Sequence, residues 1–196
     1  MMVFKNQTIF IADATVNIEP TSEDLAEIAL LAADKVRQMD MEPRVAMLSF
    51  GNFGGAKHPL ANKVRLATEI VKRRAPDLMV DGEMQADTAV SPEIISEVYP
   101  FTSLKQAANV LICPDLTSAN IAYKLLARLG GAVAIGPILM GMRKPVYLLI
   151  PGSDVSDIVN ITAMAVFESQ QQTKSGQKGV EILDRFKASM QGAEAK

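Results

Sequence analysis

Apolar and polar positions along the chain follow two rhythms. Short apolar runs bounded by turn residues predict strands: TIFIA over Thr8 to Ala12, RVAMLSF over Arg44 to Phe50, Leu78 to Val80, and Asn109 to Ile112. Between them, apolar residues recur at helical spacing. Leu25, Ile28, Ala29, Ala32 and Val36 share one face of a helix that Thr21 is placed to cap, with Glu23 and Asp24 in its first turn. A second helix is predicted from about Asn62 to Arg74, and Pro92 to Tyr99 forms a short helix or irregular piece.

The stretch Leu111 to Val166 carries this alternation furthest. Its apolar runs suit buried strands, its turns are built on Gly and Pro, and Ser, Thr and Asp mark helix starts. A helix is predicted between Ser118 and Leu129, with Thr117 or Ser118 as N-cap and Gly130 as the residue that ends it. Strand, polar turn, helix, glycine and strand make a βαβ unit. In open α/β sheets ligands bind where strand carboxyl ends meet helix N-termini, so Pro114, Asp115, Thr117, Ser118 and Asn120 are the first candidate site. From Gln170 to Gly176 the chain reads as a linker, and Val180, Leu183 and Met190 make a weak final helix.

Composition narrows the class. With 196 residues, 48% of them apolar, the chain can build a sizeable core, and a net charge of −2 carries no nucleic-acid footprint. No run is long enough to span a membrane, and the start lacks a signal peptide. The single cysteine, Cys113, fits a reducing, cytoplasmic compartment and reads as a small core residue. His58, the one histidine, reads as a surface residue. Neither a dinucleotide fingerprint nor a phosphate loop with lysine is present. Asp81, Glu83 and Asp87 fall within seven residues; they could serve a metal or a general base, or decorate a solvated turn. The basic run Lys72-Arg73-Arg74 complements a helix C-terminus.

Five motifs in order carry a resemblance: TIFIADATVNIEP, LSFGNFGG, VDGEMQADTAV, ANVLICPDLTSANIAYKLL and AIGPILMGMRKPVYLL. They resemble the phosphate acetyl/butyryl transferase family, and within it the carboxy-terminal domain of large bacterial NADP-dependent malic enzymes. The resemblance covers about Gln7 to Gln170. It implies a three-layer αβα fold with a mostly parallel sheet, similar to isocitrate dehydrogenase. The chain is then the second subdomain of that fold plus C-terminal helices, without the preceding subdomain. A phosphotransacetylase-like domain is expected over 1–170, and a linker with a weak helix over 171–196.

Active members of the family exchange an acetyl group between coenzyme A and phosphate. The resemblance implies an aspartate base, which falls on Asp157, helped by a Ser-Arg pair whose positions here are Ile150 and Pro151. Neither of these donates a side-chain hydrogen bond or carries charge. Where active members often show Ser-Thr-Lys-Gly, this chain has Gly51-Asn52-Phe53-Gly54, without the lysine. Asp157 also fits a plainer role, as an acid at the third position of a helix capped by Asp154. Asn120 and Lys124 lie one turn apart and can share a face toward an acetyl carbonyl or phosphate, with Tyr123 beside them. Arg143 and Lys144 could meet coenzyme A phosphates or be solvated charges.

The expectation is an acetyl-CoA-binding regulatory domain without transferase activity. Malate would be oxidatively decarboxylated, with NADP and a divalent metal, on a catalytic domain in the same polypeptide. A working phosphate acetyltransferase and a structural dimerisation module are the alternatives. A homo-oligomer is expected, with neither nucleic acid nor membrane as a partner.

Overall fold

The computed structural model describes residues 1–149 and 151–171. Ile150 lies outside the described residues, as do the rest of the expected linker from Gln172 and the helix with Val180, Leu183 and Met190. The chain divides into two compact units, Met1–Gly141 and Met142–Lys196.

The first unit is built on a six-stranded sheet in the order β4-β3-β5-β2-β1-β6. Its strands are β1 (Met2–Val3), β2 (Thr8–Ala12), β3 (Arg44–Leu48), β4 (Met79–Met84), β5 (Val110–Ile112) and β6 (Val133–Ala134). Strands β4, β3, β5 and β2 run parallel, and β1 lies antiparallel to both β2 and β6. The centre of the sheet is fully apolar: Val45, Met47, Val110 and Ile112 are buried. That suits parallel strands covered on both faces.

Two helices cover one face. Helix α1 (Ser22–Gln38) starts at Thr21, whose hydroxyl accepts from the Asp24 N–H while the Asp24 carboxylate accepts from the Thr21 N–H. This capping box satisfies two orphan donors. Helix α2 (Pro59–Arg74) begins three residues earlier than expected. Its N-cap is His58, a surface residue as expected, whose Nδ1 accepts from the Leu60 N–H at 3.2 Å and so starts the helix. Leu25, Ala29, Ala33 and Val36 of α1 and Val64, Ala67 and Val71 of α2 pack with Phe10, Val45, Met47, Val80 and Ile112. On the other face lie α3 (Ala86–Val90), α4 (Pro92–Glu97) and α5 (Leu116–Leu129). There Ala89, Ile95, Leu104 and Ala119 meet Ala46, Leu48, Leu111 and Cys113. The fold is therefore the expected three-layer αβα arrangement with a mostly parallel sheet.

Three expectations are corrected. First, the strand begun at Leu78 does not stop at Val80 but runs through Asp81-Gly82-Glu83 to Met84. Asp81 and Glu83 do not sit in a solvated turn, because each finds a cation from α2: Lys72 reaches Asp81 at 2.6 Å and Arg65 reaches Glu83 at 3.0 Å, while Asp87 is exposed in the first turn of α3. Second, the runs after α5 do not form buried strands. β6, β7 (Ile138–Leu139) and β8 (Val146–Tyr147) have two residues each and are half-buried or exposed. Four of the six strands of the sheet come from before Asn109, and the stretch after it contributes β5 and the two-residue edge strand β6. Third, Gly130 is the C-cap with φ −85°, and the left-handed residue is Gly131 at φ +68°.

In the second unit a helix, α6, covers 155–171 and so takes in Gln170 and Gln171, which read as linker in the sequence. Tyr147 donates its hydroxyl to the Glu168 carboxylate at 2.6 Å and ties β8 to this helix. Among the described residues no helix is long and apolar enough to cross a membrane.

Candidate functional site

The carboxyl ends of the parallel strands gather the loops that follow β2, β3 and β5, together with the start of α5. After β2, Asp13 organises its own loop. Its carboxylate accepts from the N–H groups of Thr15 at 2.8 Å, Val16 at 3.1 Å and Asn17 at 2.8 Å, and from the Asn17 side chain at 2.7 Å. Burial would raise its pKa, but these hydrogen bonds outweigh it and hold the group below the ordinary carboxylate value. The loop leaves Val16 and Ile18 exposed.

After β3, the glycine-rich loop is locked to the end of β4. Asn52 donates to the Gln85 side-chain oxygen at 2.8 Å and accepts from the Gln85 N–H at 2.7 Å, while the Gln85 amide donates to the Phe50 carbonyl at 3.0 Å. Phe53 packs on Tyr99 and Phe101, and Phe50 meets His58 edge to face at 5.6 Å. The loop N–H groups that a phosphate cradle would need are spent inward: Phe53 on the Glu83 carbonyl, Gly54 on the Glu83 carboxylate and Gly55 on the Asn52 carbonyl.

The start of α5 differs from expectation. Asp115, not Thr117 or Ser118, is the N-cap; its carboxylate accepts from the Ser118 N–H at 2.7 Å. Asp is as good a cap as Ser, and coming first it starts the helix two residues earlier. The Ser118 hydroxyl donates to the Asp115 carbonyl at 2.9 Å, and Thr117 is exposed at the second helical position. Leu116 donates to the Ile18 carbonyl, Ser118 to the Asp115 carboxylate and Ala119 to the Asp115 carbonyl, so among the described residues the Thr117 N–H is the one of this first turn without a partner. Asn120 is half-buried at the fifth helical position, one turn before the exposed Lys124, whose Nζ lies 5.2 Å from the centre of the Tyr123 ring. Lys63 of α2 adds a cation the sequence reading missed, donating to the Pro114 carbonyl at 2.8 Å. Its helical position carries no mark of this role.

Arg143, Lys144 and Asp157 belong to the second unit. Arg143 and Lys144 line a shallow depression with Met142 and Val146. Asp157 stands at the start of α6: its N–H donates to the Asp154 carboxylate at 2.9 Å, and its own carboxylate accepts from the Asp154 N–H at 3.2 Å. That is the helix-capping role.

Beneath the edge sit two buried acids. Burial would raise the pKa of both. In Asp81, hydrogen bonds from Lys72, Ser103 and Thr102 outweigh it, and in Glu83 those from Arg65 and Gly54 do, so both are held below the usual carboxylate range. Stability from these pairs is complete above the unfolded-state pKa of about 4 and is lost as pH falls through the lowered folded values. The urea midpoint is expected to drop steeply with falling pH below about 4, and Asp81→Asn should flatten that dependence; an unchanged slope would count against the pairing. Among the described residues no cluster of His, Cys, Asp or Glu is arranged to hold a metal ion.

The family model described as phosphate acetyl/butaryl transferase matches residues 1–166. The chain belongs to this phosphate acetyl/butaryl transferase family. Relatives of two kinds share the sequence. The NADP-dependent malic enzyme of Escherichia coli strain K12 is 49% identical over 164 residues, which is 83% of this chain and 22% of that enzyme. The phosphate acetyltransferase of Clostridium acetobutylicum is 44% identical over 163 residues, 83% of this chain and 49% of that protein. A phosphotransacetylase from Streptococcus pyogenes shares the fold with a TM-score of 0.80 and 41% identity, covering 87% of this chain and 52% of that one. The chain thus spans about half the length of that transferase and about a fifth of that malic enzyme.

Proposed function

We propose that this member of the phosphate acetyl/butaryl transferase family is the acetyl-CoA-binding region of an NADP-dependent malic enzyme and does not itself transfer acetyl groups. In this reading malate is oxidatively decarboxylated to pyruvate, with NADP and a divalent metal, on a catalytic domain elsewhere in the same polypeptide. Acetyl-CoA then regulates that domain only if it binds two states of the whole enzyme with different affinity.

The observation that carries the reading is Pro151, where the resemblance places a positively charged arginine. Proline has no N–H and no charge, so the site lacks the group that would neutralise a transferring phosphate. The inward-turned glycine loop points the same way. The edge of the sheet still suits a thioester: Val16, Ile18 and Phe50 offer apolar surface, and Asn120 and Lys63 stand near the helix start with polar hydrogens. Calorimetry with acetyl-CoA tests the reading directly; no binding by the folded chain would overturn it. A second reading, an active phosphate acetyltransferase with Asp157 as base, is supported by the matching aspartate and by the 44% identity to a transferase.

Asn120→Asp should weaken acetyl-CoA binding by about 1–3 kcal/mol, roughly 5- to 150-fold, because a donor is replaced by an anion facing phosphate. The fold should persist, since the residue is half-buried and its side chain has no hydrogen-bond partner among the described residues. Unchanged affinity in the titration would remove Asn120 from the site.

Helix α6 supports the expected homo-oligomer. Only Ile161 among its large apolar residues is buried; Val155, Ile158, Val159 and Val166 are exposed. Such a face promotes association. Sedimentation equilibrium should show self-association that rises with concentration and is reduced by Val159→Lys; a strictly monomeric chain at high concentration would contradict it.

A further inference from the structure

The glycine-rich loop rests on a buried acid. The Glu83 side chain is wholly enclosed, and its Oε1 accepts from the Gly54 N–H at 2.7 Å and from Arg65 Nη2 at 3.1 Å, while Oε2 accepts from Arg65 Nε at 3.0 Å. Phe53 and Gly54 are both left-handed, at φ +45° and +86°; in this bend the Gly54 N–H meets the Glu83 carboxylate while the Phe53 N–H meets the Glu83 main-chain carbonyl. A loop N–H with a guanidinium beside it is a donor pair suited to an anion. Here the occupant is the chain's own carboxylate.

We propose that Glu83 is a specificity-determining residue: its carboxylate is an internal anion that fills the place formed by the Gly54 N–H and the Arg65 guanidinium, and so closes the glycine-rich loop to phosphate groups of a ligand. A ligand meeting this edge must place its phosphates elsewhere. The proposal is independent of the acetyl-CoA reading, because it concerns donors withdrawn from any ligand; a chain that binds no acetyl-CoA leaves it intact.

The test uses the full chain with inorganic phosphate as probe, read by the Gly54 amide signal in NMR and by thermal unfolding. In the native chain phosphate should leave the Gly54 signal unmoved. Glu83→Ala leaves Arg65 without its partner and should unfold about 10 °C lower. Phosphate should then raise its Tm saturably and shift the Gly54 signal, whereas neutral acetamide should do neither. Glu83→Asp retains an anion and should stay blind to phosphate. Equal responses to phosphate and acetamide, or a phosphate-induced Gly54 shift in the native chain, would overturn the proposal. If Glu83→Ala does not fold in phosphate-free buffer, the readout becomes refolding yield. Recovery in phosphate but not in acetamide supports the internal anion, and no recovery in either overturns it.

Discussion

Gly82→Ala is expected to lose about 3–5 kcal/mol of stability, a large part of the roughly 5–15 kcal/mol that holds a domain together. Gly82 lies inside β4 at φ +152°, in a region L side chains rarely adopt. A Cβ there would sit 2.6 Å from the Met47 carbonyl oxygen and 2.7 Å from the Met47 Cβ. Met47 is fully buried in the neighbouring strand, and a main-chain oxygen cannot step aside as a flexible side-chain end can. The pairing of β3 with β4 already shifts register between Met47 and Leu48, beside this contact. Relief would therefore pull β4 away from β3 and disturb Asp81 and Glu83 on either side. Gly131 supplies the control. It also has positive φ, at +68°, but an added Cβ would meet nothing within 4 Å. Gly131→Ala should cost only about 1 kcal/mol, the backbone penalty alone. Urea unfolding of both variants measures the difference; equal losses would show that the approach of Met47 is unimportant.

Incubation with acetyl phosphate and coenzyme A is expected to yield no acetyl-CoA above background. Removing one positioned oxyanion donor typically costs roughly 100- to 1000-fold in rate. Here the positions that the resemblance assigns to a serine and an arginine hold Ile150 and Pro151. The glycine loop offers no substitute, since the N–H groups of Phe53, Gly54 and Gly55 are turned inward. Asp157 is present, but its carboxylate is engaged with the Asp154 N–H. A base alone cannot stabilise charge developing on a transferring acyl or phosphoryl group. Acetyl-CoA formation on the order of 10 per second, an ordinary enzymatic turnover, would overturn this expectation and establish the transferase reading. Binding of acetyl-CoA without turnover is the result that fits the regulatory reading.

Local pattern determined much of this protein. Apolar runs located β2 and β3 at their observed starts, and Thr21 with Asp24 marked the start of α1, because strand burial and helix capping depend on neighbours in sequence. The ordered motifs led to the family and to the three-layer fold. Ile150 and Pro151 stand where the resemblance implies a Ser-Arg pair, and that expectation rests on the sequence alone. Tertiary structure decided what rests on distant partners. In the sequence Asp81 and Glu83 could serve a metal or a general base or decorate a turn; Lys72 and Arg65, on a helix earlier in the chain, make them tolerable inside a strand. Asp115 outcompeted Thr117 and Ser118 as a cap, a choice among equivalent residues that local propensity leaves open. Gly51-Asn52-Phe53-Gly54-Gly55 reads only as a glycine-rich loop without a lysine in one dimension. Its donors face inward because Glu83 lies beneath them, and charge pairs separated by 18 residues leave no periodic trace in a sequence.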